Sequence, residues 1–590
     1  MRARTLLATS LIGLSGFLST AAHSAPLPDF AHVLGTHPAT YALLLDRHGQ
    51  PLQALPLIPG VERASWTPLA QLPPTVMHAL LISEDQRFFL HHGVDWRAVL
   101  GAAWENLWYN THRGASTLTM QLSGLLDPTL MRTHGGRSYQ QKWLQIRAAE
   151  RLEKHWSKAQ ILEAYLNLAT FRGDLVGIGA ATQALFGVAP DSLDDAQADI
   201  LAALLRGPNA HAKIVAHRAC ELAELIHNPS GTCKKIQLLS ERHLTASTRL
   251  YPDLTLADDA ARQLLHTAGE QLTSSLDRSI QLQTLASLYL IMQNTDAYRD
   301  ASILVLNQRS GEILAYADQY ANQDSSNAPH SDPLLTIRSF DHAALPLLYQ
   351  LALTQHTVQA DELLNDASLA FNTQPVNDAV SADAQRINLP MAITTDNYPA
   401  AWRVMSDLPT LSFGTQLQTF NLSLESSNQP EPVQGSLLAL ANAWQTLANH
   451  GVFMQVSFHP GGLNTPFSVM DDNSVSVISQ LLSDPSNHLN DVAPHANAAW
   501  LSGQDSCTAW RIGYDAQYTV LLWLDKRPDK QQCSPNTHTN NPATPVWNKL
   551  LNGLTQHTTT NIDPNLDPVL QHLPTAIDES PTSIPIQNYP

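Results

Sequence analysis

The sequence predicts a multidomain chain, with a mainly α-helical first domain followed by an α/β second domain. Three observations carry this. The chain has 590 residues, more than a single apolar core usually organises. From Val76 onward the apolar residues recur with a helical period. At Ala301 the pattern changes, because ASILVLNQRSGEILAYADQ reads as two strands joined by a turn at Arg309 to Gly311, and YTVLLWLD at Tyr518 to Asp525 is a further strong strand.

The elements follow in order. MRARTLLATSLIGLSGFLSTAAHSAPL sets Arg2 and Arg4 before an apolar run and small residues at Ala22 and Ser24. That is the order of an export signal, so residues 1–25 are expected to be a signal peptide or a membrane anchor. The run is short and serine-rich for a span of about 20 apolar residues; cleavage after Ser24 and an uncleaved anchor both stay open. No later segment reads as a second transmembrane span. YALLLD at Tyr41 to Asp46 is a predicted strand, and helical periodicity then runs from Val76 through VMHALLISEDQRFFLHHG to Gly93. Further helices are expected over 96–109, 116–126, 139–155 and 158–168. The segment 192–207 begins with serine and acidic residues and stops before Pro208. These make a first domain over 30–245. A linker or helical connector is expected over 246–299, including a helix at 279–292. The second domain is expected over 300–545, with a helix at 436–451. The stretch 546–590, rich in Thr, Asn, Asp and Pro, reads as a flexible tail.

The formal charge of -18 argues against nucleic acid as a partner, since that needs clustered Lys and Arg. Neither a phosphate-loop nor a dinucleotide glycine pattern is present, so no organic cofactor is expected. Four cysteines fall as two local pairs, Cys220 with Cys233 and Cys507 with Cys533. In an exported chain each pair can close a disulfide loop; four unrelated buried thiols are the competing reading. Their spacing does not suit zinc, and any metal ligands stay unknown.

Glu84, Phe88 and His91 lie at i, i+4 and i+7, so a continuous helix puts them on one face with Asp85 beside them. A carboxylate held partly out of water can act as a general base. On spacing alone, a solvated helix end running into Gly93 explains the same residues.

The wording around those residues points further. EDQRFFLHHGVD at 84–95, RGASTLTMQL at 113–122 and SKAQILEAYLNLATFRGDLVGIGAATQALFG at 157–187 resemble, in order and spacing, three signatures of the bacterial peptidoglycan glycosyltransferases. STLTMQ followed by LLDP at 125–128 resembles the penicillin-binding protein 1C branch of that family. The resemblance implies a lysozyme-like glycosyltransferase domain that polymerises lipid II, adding to a growing glycan chain with inversion and release of undecaprenyl pyrophosphate. By position, Glu84 resembles the base that deprotonates the acceptor 4-hydroxyl, and Asp85 its acidic partner. Phe88 and His91 resemble the orienting face, and Ser116, Thr117 and Gln121 the donor-side polar shell. Gln145 stands where many members of the family carry a second catalytic-region glutamate, although the 1C-like branch also resembles this chain in having glutamine there, and the basic pair that usually precedes it is here Gln141 and Lys142; Lys142 and Gln145 are the substrate-binding candidates of this segment. Glu163, Tyr165 and Asn167 are structural or cleft-lining candidates, and Gly173, Gly177 and Gly179 permit close backbone approach. The charge developing on the leaving group implies cationic side chains or a divalent cation, Mg or Mn. Where the family has Lys or Arg three residues after the signature glutamine, this chain has Gly124; Arg137, Lys142 or Arg172 are candidates to compensate. The implied setting is the periplasmic side of an inner membrane, with that membrane surface and cell-wall synthesis proteins as partners.

The second domain resembles a penicillin-binding, serine transpeptidase-like domain without its chemistry. SGEILAYADQ at 310–319 resembles its opening strand pair and ALPLLYQLAL at 344–353 its acylation segment. Alignment puts His342 at the nucleophilic serine and Leu345 at the lysine. Met405, Ser406 and Asp407 fall at the second box, and Leu501, Ser502 and Gly503 at the third, where only glycine survives. A serine nucleophile needs an adjacent proton acceptor, so acylation is expected to be absent. His342, Trp510 and Trp523 read as packing residues. Two other functions compete: a non-catalytic scaffold with both domains degenerate, and a glycan-cleaving enzyme of lysozyme-like shape.

Overall fold

A computed structural model describes residues 27–556 except 109–115, 131–138, 228–230, 245–248, 253, 295–297, 299, 321–331, 341, 366–385, 396, 425–432, 463–464, 489–490, 494–497, 505–507 and 526–540. The proposed export segment, Arg137 and the Cys507–Cys533 pair lie outside the described residues. The chain divides into two compact units, one of residues up to 41 with 58–250, the other of 42–57 with 251 onward. This corrects the expected first domain of 30–245. Most of strand β1 (Tyr41–Leu45) and all of β2 (Pro51–Pro56) belong to the second unit. The reason is pairing and burial. β1 runs parallel to the later strand over Gln271–Thr273, and Ala42, Leu44 and Leu52 enter that unit's core.

The first unit is helical: α1 (Phe30–Thr36), α2 (Pro74–Glu84), α3 (Trp96–Trp108), α4 (Leu118–Leu126), α5 (Tyr139–His155), α6 (Lys158–Leu168), α7 (Ile178–Phe186), α8 (Asp195–Leu205), α9 (Ala212–Ile226) and α10 (Thr232–His243). A small sheet of β3 (Glu62–Arg63), β4 (Thr170–Arg172) and β5 (Leu175–Val176) accompanies them. Capping boxes start two of the helices, Ser157 with Gln160 for α6 and Asp194 with Gln197 for α8. α8 is buried from Ala196 to Leu204, Gln197 and Asp199 included. α2 packs on it. The predicted helix from Val76 to Gly93 stops at Glu84. Asp85 adopts an extended φ of -160°, and only a single 3-10 turn, Phe88–Leu90, follows. Cys220 and Cys233 form a disulfide between α9 and α10. Among the described residues no helix is long and apolar enough to cross a membrane.

The second unit is built on a five-stranded sheet. Labelling β6 (Gln271–Thr273), β7 (Asp300–Asn307), β8 (Ile313–Tyr320), β9 (Ala499–Gln504), β10 (Thr508–Tyr514) and β11 (Tyr518–Asp525), its order is β9-β10-β11-β7-β8, antiparallel throughout. Both faces are covered, so the strands read as near-continuous apolar runs. Val520, Leu522 and Leu524 enter one core and Leu521 and Trp523 the other, by the two-residue alternation of a strand. The helices are α11 (Asp258–Leu264), α12 (Arg278–Asn294), α13 (Leu345–Thr354), α14 (Leu389–Thr394), α15 (Tyr398–Asp407), α16 (Ser412–Thr419), α17 (Leu437–Ala448), α18 (Asp472–Ser483) and α19 (Ala543–Gln556). α12 and α19 lie on the face holding Leu522, and α17 packs on the other.

Two expectations change here. Residues 246–299 are no linker within the described chain: Ala260, Leu265 and Leu276 are buried in one core and Leu288 and Ile291 in the other. Residues 546–556 are not part of a flexible tail, because Trp547, Leu550, Leu551 and Leu554 form the buried stripe of α19. Residues 557–590 lie outside the described residues.

Candidate active site

Glu84 ends α2, where a helix leaves backbone carbonyls without partners of its own. This end is fastened to α8: Ser83 Oγ lies 3.5 Å from the Ala202 carbonyl, and the Ser83 carbonyl accepts from Arg206 Nη2 at 3.0 Å. The Glu84 carboxylate, 10% exposed, is held from two sides. Gln121 Nε2 donates to Oε2 at 2.9 Å, while at Oε1 the Ser83 hydroxyl lies 3.4 Å away and Arg206 Nε 3.7 Å away. The Tyr165 hydroxyl donates to Gln121 Oε1 at 2.9 Å. Burial first, and the Glu84 charge second, push the Tyr165 phenol well above its ordinary range, so it remains an O–H donor at neutral pH. With its oxygen committed to Tyr165, the Gln121 amide turns its nitrogen to Glu84.

Asp85 faces other partners. His91 Nε2 donates to its carboxylate at 3.1 Å, and so does the Leu118 N–H at 3.1 Å. Phe88 is buried edge-on to His91 beneath the Lys158 ammonium, 4.1 Å from the ring centroid. Lys158 also binds Glu153 Oε1 at 2.7 Å and the His91 carbonyl at 2.8 Å. Asp85, Phe88 and His91 thus form a joint between the turn after α2 and the helices α4 to α6, assembled by a chain reversal rather than by the predicted helix face.

The second signature divides. Thr117 caps α4, accepting from Met120 N–H and donating to the Gly93 carbonyl at 2.6 Å, so both its hydrogen-bonding functions serve the backbone. Gly93 has φ 90°, and a Cβ there would stand 2.7 Å from Ala149 O. Ser116 is met by Lys142 Nζ at 2.8 Å. Lys142 also reaches Gln145 Oε1 at 3.3 Å, while Gln145 Nε2 donates to the Met120 carbonyl at 2.6 Å. A second polar group, Ser116, Lys142 and Gln145, therefore lies at the start of α4.

The third signature supplies scaffolding besides Tyr165. Glu163 accepts from Trp66 Nε1 at 2.9 Å and Leu69 N–H at 2.8 Å. Asn167 binds both backbone groups of Thr67, each at 2.8 Å. Gly177 permits close approach, since a Cβ would meet Asn167 O at 2.8 Å. Gly179 would meet Thr67 Oγ1 at 2.8 Å, whereas nothing lies near Gly173.

A family model described as Transglycosylase matches residues 48–227. A biosynthetic peptidoglycan transglycosylase of Pasteurella multocida (strain Pm70) is 38% identical over 188 residues, covering 30% of this chain and 69% of that one. The chain belongs to the transglycosylase family. Penicillin-binding protein 1C of Escherichia coli (strain K12) is 28% identical over 513 residues, 82% of this chain; the match spans 64% of that relative's length. Penicillin-binding protein 2D of Bacillus subtilis (strain 168) is 23% identical over 545 residues, covering 82% of this chain and 77% of that one.

Against this transglycosylase background, the compensators proposed for Gly124 separate. Arg172 does not serve: its guanidinium binds the carbonyls of Pro208, Ala210 and Leu244, a backbone clamp within the first unit. Lys142 stands beside Ser116. Gly124 itself is buried within α4. Arg206 belongs to none of the three signatures. Its only sequence signal is a cation at the end of a helix just before Gly207-Pro208, and nothing local announces contact with Glu84.

In the second unit, His342 precedes α13 and its Nε2 lies 3.0 Å from the Ser502 carbonyl, so the first and third aligned boxes do meet. The space between them is filled: the His342 and Trp510 rings lie 4.9 Å apart. A Cβ at Gly503 would stand 2.6 Å from the Trp510 ring and 2.7 Å from His342 Cε1. Trp510 and Trp523 stack, buried, at 6.0 Å. Leu345 and Met405 pack against the apolar core, Leu501 is buried within it, and Asp407 is exposed at the end of α15.

Proposed function

We propose that this transglycosylase polymerises lipid II on the periplasmic side of a bacterial inner membrane, with Glu84 as general base. The observation that carries the reading is the Glu84 carboxylate oriented by Gln121 and Tyr165. Glu84 takes the proton of the acceptor 4-hydroxyl as that oxygen bonds to the anomeric carbon of the growing chain. The bond to undecaprenyl pyrophosphate breaks on the opposite face, so the centre inverts. Lys142, beside Ser116, is the cation assigned to the charge developing on the pyrophosphate. Asp85 and His91 act as positioning residues through their mutual pair.

Among the described residues no group of three or more His, Cys, Asp or Glu side chains is gathered to hold a metal. No step is routed through a divalent cation. The membrane reading draws on the exposed apolar side chains Phe89, Leu90, Trp96, Leu100 and Trp143 of the first unit, which a lipid surface would remove from water. Export by residues 1–25, and contacts with other cell-wall synthesis proteins, complete this reading. The second unit is assigned no serine acylation.

Gly124 favours one alternative, a non-catalytic scaffold. The test is polymerisation of purified lipid II in detergent with Mg or Mn, comparing the native chain with Glu84→Gln. Glycan strands from the native chain and at least a hundredfold fewer from the variant are expected, on the order of the loss when a general base is removed. No strands from a folded native chain that binds lipid II would establish the scaffold instead.

A further inference from the structure

We propose that Arg206 is a positioning residue for Glu84, holding one carboxylate oxygen while Gln121 holds the other. The inference rests on the reading of Glu84 as general base. Arg206 caps the C-terminal end of α8, where a cation is favoured by the helix dipole. From there its guanidinium makes two contacts with the end of α2. Nη2 donates to the Ser83 carbonyl at 3.0 Å, satisfying one of the carbonyls that the helix leaves without a partner. Nε lies 3.7 Å from Glu84 Oε1, the oxygen that the Ser83 hydroxyl also meets, at 3.4 Å. The two residues contacted are consecutive, so one planar group fixes both the backbone that delivers Glu84 and the side chain itself. Lys cannot reproduce this fork, but it can supply the charge.

The arrangement fits a mechanical task better than a stabilising one. The Arg206 side chain is 53% exposed, and ion pairs in water contribute little to stability. Its worth rises when substrate covers the cleft and excludes water, because the same pair then acts in a lower dielectric. On its other side Glu84 is fixed by Gln121, itself fixed by the buried Tyr165. The buried clamp is neutral and the open one is charged. Arg206 therefore keeps the base aimed at the acceptor hydroxyl on the side that α2, α4 and α6 leave open.

A purely structural cap and a positioning contact predict different results. Arg206→Gln keeps a neutral donor for the Ser83 carbonyl and removes the charge, whereas Arg206→Lys keeps the charge. Two readouts are taken on the full chain, with melting temperature confirming that each variant folds. The first is kcat and KM for lipid II polymerisation. The second needs no turnover: the rate at which a water-soluble carbodiimide and a primary amine label Glu84, read by peptide mass spectrometry, with Glu163 as internal reference. For Arg206→Gln, kcat is expected to fall about five- to tenfold with KM within about twofold, and Glu84 to be labelled several times faster. Arg206→Lys is expected to stay near native in both, and Glu163 labelling to be the same in all three.

Equal kcat and equal Glu84 labelling for all three proteins overturn the proposal and leave the polymerase reading intact. A native chain that makes no glycan while Arg206→Gln accelerates labelling overturns the polymerase reading and upholds the contact. A native chain that makes no glycan with labelling unchanged removes both.

Discussion

Arg511 shows how much one charge can cost a fold and what must surround it. Its side chain is 0% exposed and lies against the rings of Trp500 and Trp547, where an unpaired cation is strongly unfavourable. Asp491 answers it at 2.6 Å and also accepts from Ser502, Thr544 and Trp500. Burial by itself pushes the Asp491 carboxyl up, but Arg511 and the hydroxyl donors bring it net below the ordinary carboxylate range. A depressed folded pKa contributes stability above the unfolded value, about 3.9 for Asp, and that stability is lost as pH falls through the folded pKa. Asp491→Ala is expected to destabilise the second unit by about 3–5 kcal/mol at pH 7, since it strands a buried charge. Urea unfolding of native and variant should show that gap narrowing below pH 4, roughly where the unfolded carboxyl titrates; a gap constant with pH counts against it. Single residues were legible in the sequence where chemistry is written locally. Glu84 and Gln121 sit inside signatures, and both reach the site. Arg206 and Asp491 sit in ordinary surroundings and gain meaning only from partners brought near by folding.

Helices were the most legible elements. α5 and α6 fall where periodicity predicted them, because an apolar stripe marks a helix and, at α6, a capping box marks its start. α2 was overextended because apolar periodicity continues through Phe88 although the backbone does not. The Asp85 carboxylate is held by His91 and Leu118 N–H, and these tertiary bonds accompany the extended conformation that ends the helix. β1 was predicted as a strand, but its partner lies more than two hundred residues later, and no local pattern names a distant partner. From this pairing comes a prediction at the scale of the element. Leu44 is wholly buried in the second unit's core, so Leu44→Ala should cost about 2–5 kcal/mol. Hydrogen exchange read by mass spectrometry should then lose protection over 271–273 and α11, while α4 and α6 keep theirs. Loss confined to the first unit would contradict the assignment of residues 42–57.

At the scale of the whole molecule, the two compact units gather different side chains. In the first, the polar side chains at Glu84 converge on one carboxylate. In the second, the first and third aligned boxes meet, His342 on Ser502, yet what meets there is an imidazole, a backbone carbonyl and two stacked indoles. Fold and chemistry were separately legible because apolar alternation specifies a covered sheet whatever stands in the boxes. The filling of the space by Trp510 was not legible, because an indole on a buried strand reads the same whether it packs a core or closes a cleft. The proposal that the second unit performs no acylation therefore makes a demanding prediction. A fluorescent penicillin should leave no covalent label on the native chain. His342→Ser should not create one, for the new hydroxyl would face apolar Leu345 instead of a proton acceptor, and Trp510 would still crowd Gly503. Glycan polymerisation should accordingly be unaffected by saturating penicillin while remaining dependent on Glu84. A label mapped to any residue of 300–545 in the native chain, Ser406 and Ser502 of the aligned boxes included, would overturn the proposal that the second unit performs no acylation.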